Sequence, residues 1–205
     1  MVHGHLTAMK LPRVEIVPLT ADRWADLERL FGARGACGGC WCMAWRLPRS
    51  LFVPGKGAGN RAALKALASA TPAPGLLAYV EDEPVGWCAI APREAYPVLA
   101  RSRVLKPVDD AAVWSVSCFF VARGHRRRGI SSLLLRGAVA YAATCGARII
   151  EGYPVAPRTG IQPDVFVWTG LPGTFKAAGF KEVARRSPTR PIMRRRIRAT
   201  QKTQA

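Results

Sequence analysis

The sequence predicts a mixed α/β fold: one domain built on a mostly antiparallel sheet of six to seven strands, flanked by about four helices. Short apolar runs of strand character alternate with segments of helical spacing along nearly the whole chain, which favours layers of sheet and helix. The runs 75–80 and 85–90 are separated only by Glu81-Asp82-Glu83-Pro84, a hairpin and hence an antiparallel pair. Residues 112–153 read strand, basic turn, helix, strand, a unit that closes as a parallel pair with a right-handed crossover.

Val14–Leu19 alternates as a first strand, and Pro18 places it at an edge. Arg23–Phe31 is an amphipathic helix with Trp24, Leu27, Leu30 and Phe31 on one face and Gly32 as its stop. A loop rich in cysteine and tryptophan follows, then Gly55-Lys56-Gly57-Ala58-Gly59 as a flexible turn. Asn60 is expected to cap a second helix in which Ala63, Leu64 and Leu67 share a face. The hairpin strands Gly75–Val80 and Val85–Ile90 come next. The polar, proline-bearing stretch Ala91–Asp110 is expected to be a connector. Ala112–Val121 is the longest β-like run and is placed centrally. After Gly129 a helix carries Ile130, Leu133, Leu134, Ala138, Tyr141, Ala142 and Cys145 at helical spacing, and Gly146 ends it. Arg148–Tyr153 returns as a strand. Pro172 opens a short helix that Gly179 stops. Phe180–Ala184 and Pro191–Ile197 are the closing strands.

A chain of 205 residues with 49% hydrophobic and 21% charged residues is globular and long enough for one substantial core. The domain is expected over 13–198, between a flexible segment 1–12 and a flexible basic tail 199–205. No run approaches the roughly 20 apolar residues that span a bilayer, so no membrane partner is expected. Residues 1–12 lack the apolar core of a secretory signal, which points to the cytoplasm and to reduced cysteines. The net charge of +18 calls for an anionic ligand or partner: a nucleotide cofactor, a nucleic acid or an acidic surface. After Glu182 there is no acidic residue, while Arg185, Arg186, Arg190, Arg194, Arg195, Arg196, Arg198 and Lys202 follow. No aromatic residue is interleaved with them to stack on bases, so a solvated basic edge is favoured over a nucleic-acid interface.

The run from Cys118 to Leu135 is the most informative. An apolar strand ends in a basic turn and passes directly into a helix, whose first N–H groups have no intrahelical partner and face an anion at the positive end of the dipole. Gly129 permits close backbone approach to a phosphate, and Arg126, Arg127 and Arg128 add charge and forked donors. Arg126-Arg127-Arg128-Gly129-Ile130-Ser131 resembles the Arg/Gln-x-x-Gly-x-Gly/Ala signature of the GNAT superfamily of acetyl-CoA-dependent N-acetyltransferases, with Ser131 at the last small position. The order of elements over 14–197 is similar to that fold, as are Gly86-Trp87 in the hairpin and Ala177–Val183 near the end.

The resemblance implies that the parallel strands splay and that acetyl-CoA, as co-substrate, lies in the gap. Its pyrophosphate would rest on Arg126–Ser131, Ile130 included, and its pantetheine arm against the backbone of Phe119, Phe120 and Val121. A bulge in that strand would free N–H groups for the arm and for the thioester carbonyl. The usual tyrosine acid, four residues before the Gly179-Phe180 pair, is replaced by Phe175, expected beside the cofactor. Glu151 is the candidate general base, and Tyr153, on the same side of its strand, the candidate acid.

Cys37-Gly38-Gly39-Cys40-Trp41-Cys42, followed by Trp45, contains a CxxC half-site without a second half. In the fold that the resemblance implies, this loop after the first helix forms part of the acceptor pocket, so Trp41, Cys42 and Trp45 are expected to wall it, ahead of a metal site or a disulfide, and no metal is expected. The reading is transfer of acetyl to a small-molecule or peptide amine, with a homodimer as a candidate assembly. A catalytically weak acyl-CoA-binding module and a basic nucleic-acid-binding protein are the alternatives.

Overall fold

The computed structural model describes residues 13–157 and 166–197; the segments 1–12 and 199–205, expected to be flexible, lie outside them. Seven strands form one sheet in the order β1-β2-β3-β4-β5-β7-β6: β1 (Val14–Pro18), β2 (Gly75–Val80), β3 (Glu83–Pro92), β4 (Trp114–Val121), β5 (Ile149–Gly152), β6 (Lys181–Arg185) and β7 (Pro191–Arg196). All pairs are antiparallel except β4–β5. The helices are α1 (Trp24–Phe31), α2 (Arg49–Phe52), α3 (Ala58–Ala68), α4 (Pro97–Arg101), α5 (Ile130–Thr144) and α6 (Pro172–Ala177). Among the described residues no helix is long and apolar enough to cross a membrane.

The sheet is covered on both faces. α5 buries Ile130, Leu134, Leu135, Ala138, Val139 and Ala142 against Leu76, Cys88, Val116 and Ile150, with Phe175 and Phe180 from the end of the domain. Each leucine so buried stabilises by about 1.5–3 kcal/mol. Trp24, Leu27 and Phe31 of α1 and Leu64 of α3 cover the other face with Trp41, Trp87 and Cys118. Gly152 is where α6 meets the sheet: a Cβ there would lie 2.0 Å from Cε1 of Phe175, so only glycine admits that ring.

Three local expectations are corrected. Asn60 does not cap the second helix. It is fully buried inside α3, which starts two residues earlier behind Gly57, and its Nδ2 donates to the carbonyls of Gly39 and Phe52. The side chain thus ties the cysteine-rich loop to the helix instead of closing the helix end. Glu83 and Pro84 belong to β3, so Glu81-Asp82 alone makes the hairpin turn, with Glu81 at φ 54°. The stretch 91–110 contains α4, whose few residues are too short for a visible period.

Candidate active site

β4 and β5 pair only at Trp114↔Ile150, Ser115↔Glu151 and Val116↔Gly152, and beyond Val116 they part. On the other side of β4 the register with β3 slips between Val116 and Cys118, so Ser117 is an extra residue opposite the Ala89/Ile90 step. That is a β-bulge. Past it, Cys118 and Phe120 face the α1 side while Phe119 and Val121 face the α5 side.

The parted strands open a cavity of about 620 Å³, a size typical of small-ligand sites. Its walls are the outer half of β4, the basic turn with the start of α5, residues 167–174, and the cysteine-rich loop. The turn presents His125, Arg126, Arg127, Gly129, Ile130 and Ser131 to it. Arg127 (φ 60°) and Gly129 (φ 80°) are both left-handed, a curl that turns successive N–H groups toward one side. No side chain caps α5, and nothing lies within 4 Å of where a Cβ on Gly129 would stand. The first turn of α5 is therefore an uncovered anion site. Arg126 braces the curl by donating from Nε to the Val121 carbonyl at 3.0 Å. Arg128 is exposed and off the cavity lining.

Phe119, Phe120 and Val121 all line the cavity, but the bulge does not leave the Phe119 amide open. It donates to the Trp168 carbonyl at 2.6 Å. The segment around Trp168, which the sequence reading passed over, forms the wall facing β4. Its ring packs on Trp45 with centroids 5.7 Å apart. No periodicity marks this segment, and only the structure brings it to β4.

The cysteine-rich loop contributes Cys37, Cys40 and Cys42, and β4 adds Cys118. Cys42 Sγ lies 3.2 Å from Cys118 Sγ and accepts from Trp87 Nε1 at 3.1 Å. The hydrogen bond with Cys118 and burial hold the Cys42 thiol well above its usual range, and the hydrogen bond with Cys42 and burial do the same for Cys40. Ala36, Trp41 and Cys42 adopt left-handed backbone that such residues avoid. Of the three residues expected on the acceptor wall, Cys42 lines the cavity. Trp41 does not: its ring is buried in the core between Trp24 and Phe31. Trp45 is behind the lining, in contact with Trp168. All six cysteines are free thiols, and among the described residues no group of three or more His, Cys, Asp or Glu could hold a metal.

Glu151 and Tyr153 are brought together, but away from the cavity. Glu151 is fully buried and both carboxylate oxygens are taken. Oε1 meets Arg93 Nη1 at 2.8 Å and accepts from the Tyr153 hydroxyl at 2.8 Å, and Oε2 meets Arg194 Nε. Tyr153 also contacts Ser115 Oγ at 2.7 Å and accepts from Arg93 Nη1. Arg194 reaches on to Asp109 at 2.6 Å. Burial, then the Glu151 charge, pushes the Tyr153 hydroxyl well above its usual range. Neither residue lines the cavity. The geometry thus gives no support to Glu151 as base or Tyr153 as acid, because two guanidiniums hold the carboxylate and solvent does not reach it. Phe175 is likewise fully buried, 6.1 Å from Phe119 and 5.1 Å from Phe180 between centroids, and does not line the cavity. Arg93, which anchors this cluster from the connector, was not expected.

Residues 41–156 match the acetyltransferase (GNAT) family, more than half of the chain. This chain belongs to the GNAT family. Its fold is similar to a GNAT acetyltransferase from Streptococcus pneumoniae, at 14% identity and a TM-score of 0.51, over 90% of this chain and 99% of that one. The GNAT domain of PAT from S. lividans superposes with a TM-score of 0.52 at 16% identity, over 89% and 90% of the two chains. The PaiA N-acetyltransferase of Thermoplasma acidophilum, solved in complex with coenzyme A, gives 0.51 at 13% identity, over 90% and 99%. At such identities the likeness concerns the fold. No curated protein matches this GNAT sequence.

Proposed function

We propose that this GNAT chain moves an acetyl group from acetyl-CoA to a primary amine by direct attack, in the cytoplasm. The observation that supports it best is the continuous cavity running from the left-handed turn at 127–129, along the parted half of β4, to the thiol wall. The residues present fit the co-substrate. The uncapped start of α5 and the open space above Gly129 suit a diphosphate, with Arg126 and Arg127 beside it and Arg128 adding charge from outside. Phe120 and Val121 flank the path of the arm, while the Phe119 amide serves it only if the Trp168 carbonyl moves aside. Glu151 and Tyr153 act as positioning residues that fix β5 against β4 where the two strands part. The departing thiolate needs little help, since thiols titrate only about one to two units above neutrality, so solvent protonates it.

The test is calorimetric titration of acetyl-CoA into the full chain, with Gly129→Val as control. Valine at this φ strains the backbone by about 1–2 kcal/mol and puts branched carbons where the phosphate would rest. One binding site in the parent and at least a hundredfold weaker binding in the variant are expected. Equal affinity in both overturns the assignment. Thiol release that depends on an added amine separates the enzyme from a binding-only module.

A further inference from the structure

Resting on that reading, the lining of the cavity also says which amines it takes. Among the described residues, its titratable side chains fall into two groups. His125, Arg126 and Arg127 belong to the basic turn at the diphosphate end, and Cys37, Cys40, Cys42 and Cys118 make the opposite wall. That wall meets β4 one residue past the bulge, through the 3.2 Å contact of Cys42 with Cys118. Trp168 and Phe120 complete it with aromatic surface. Glu151, the carboxylate on the neighbouring strand β5, is committed to Arg93 and Arg194 and is absent from the cavity lining.

An ammonium ion entering such a site gives up its hydration for sulfur, indole and phenyl surface, a large cost unless an anion meets it. The thiols of Cys40 and Cys42 do not supply that anion, because hydrogen bonding and burial keep both protonated. The arginines at the far end are taken up by the diphosphate and bring no anion to the acceptor end. An amine that is neutral before it enters escapes every one of these costs. An alkylamine titrating near 10.4, like a lysine, is neutral at pH 7 in roughly one molecule in a few thousand. An arylamine, whose conjugate acid titrates well below neutrality, is neutral throughout. Flat aromatic bodies also suit sulfur and indole contacts.

We infer that the acceptor is a weakly basic primary amine on a flat apolar body, an arylamine in preference to an alkylamine or a polyamine. The amine nitrogen bonds to the acetyl carbonyl carbon, the carbon–sulfur bond breaks, and the proton lost from nitrogen leaves with the thiolate as free coenzyme A thiol. Products are the N-acetylarylamine and coenzyme A, so the step balances without a further reactant.

The experiment compares two isomers of one formula, 4-methylaniline and benzylamine, with spermidine as a polycation. Acetyl-CoA binding is first measured by calorimetry on the full chain. Absent binding brings down the functional reading itself, and this inference with it. Given binding, kcat/KM at pH 7 is expected to be at least tenfold higher for 4-methylaniline than for benzylamine, with spermidine lowest. From pH 7 to 9 the benzylamine value should rise about tenfold per unit as its neutral fraction grows, while 4-methylaniline stays flat. Equal or faster turnover of benzylamine or spermidine at pH 7 overturns the inference, as does binding of acetyl-CoA with no turnover of 4-methylaniline. A second arm installs an anion at an exposed position on the lining, Cys37→Asp. It should shift the ratio toward benzylamine at least fivefold, and an unchanged ratio counts against charge as the basis of selection.

Discussion

Below Val116, strands β4 and β5 are zipped together and pinned by charge; above it they part and are lined by thiols and rings. The two halves are only a few residues apart, yet their chemistry is opposite. The zipped half holds a carboxylate, two guanidiniums, a phenol and a hydroxyl in mutual contact, with Glu151 fully buried. The open half holds apolar and soft side chains with its cations at one end. Reactive-looking groups thus serve as fastening, and plain-looking ones form the walls of the cavity. A parallel pair that must separate abruptly needs firm anchoring just before the split, and a buried ionic cluster at Ser115↔Glu151, one rung short of the last pair, supplies it.

The sharpest way to break this contrast is Glu151→Gln. If the cluster fastens the strands, removing its central charge leaves Arg93 and Arg194 facing each other almost without solvent. Stability should then fall by about 3–5 kcal/mol in urea unfolding. A general base would instead show an intact fold with a collapsed kcat. Near-parent stability together with lost turnover would return Glu151 to the chemistry.

Phe175→Tyr comes next. The family's tyrosine is restored in sequence, but the ring is buried against Phe119 and Phe180, so its hydroxyl enters the core without a partner. A loss of about 1–3 kcal/mol is expected, with no gain in kcat. A raised kcat at unchanged stability would show that this side chain reaches the site after all.

Alkaline pH probes the thiol side. Burial raises the Cys88 thiol, and the Cys118 hydrogen bond with burial raises Cys42. Both titrate higher folded than unfolded, so their contribution is whole below about pH 8.5 and is lost as pH rises above it. The slope is about 1.4 kcal/mol per pH unit for each thiol. Urea midpoints between pH 7.5 and 10 measure it, and Cys88→Ala should flatten the slope by one proton. Above pH 10, Tyr153 adds to the same trend, because its burial also raises its titration.

The smallest effect belongs to the outer partner of the cluster. Asp109 is half exposed where it meets Arg194, and Asp109→Asn should move the melting temperature by no more than ~2 °C. A large shift would mean that the fastening is spread over the connector and not centred on Glu151.

The seven strands and the helices α1, α3, α5 and α6 were legible because each carries a periodic apolar face or a glycine or proline stop. The basic turn into α5 was legible too, since strand, arginines, glycine and helix follow each other directly in the chain. What was not legible depends on contacts distant in sequence. Arg93 and Arg194 come to Glu151 from the connector and from β7, and without them a glutamate at a strand end looks available. Trp41 and Trp45 both read as wall, but the left-handed backbone around Cys42 turns Trp41 into the core. Trp168 reaches β4 through its carbonyl, and no side-chain pattern reports a carbonyl.

The extra residue at Ser117 sets the phase of everything beyond it. Side chains of β4 change faces at that point, so that Cys118 looks toward the loop and Phe119 toward α5. Were Ser117 instead paired with Ala89 as in a regular ladder, the rest of the strand would slide by one residue and its faces would reverse. Cys118 would be driven in among the leucines of α5, and a phenyl ring would take its place opposite Cys42. A single bulged residue therefore separates a sulfur-walled chamber from an aromatic one, since the bulge decides which side chain of β4 meets Cys42.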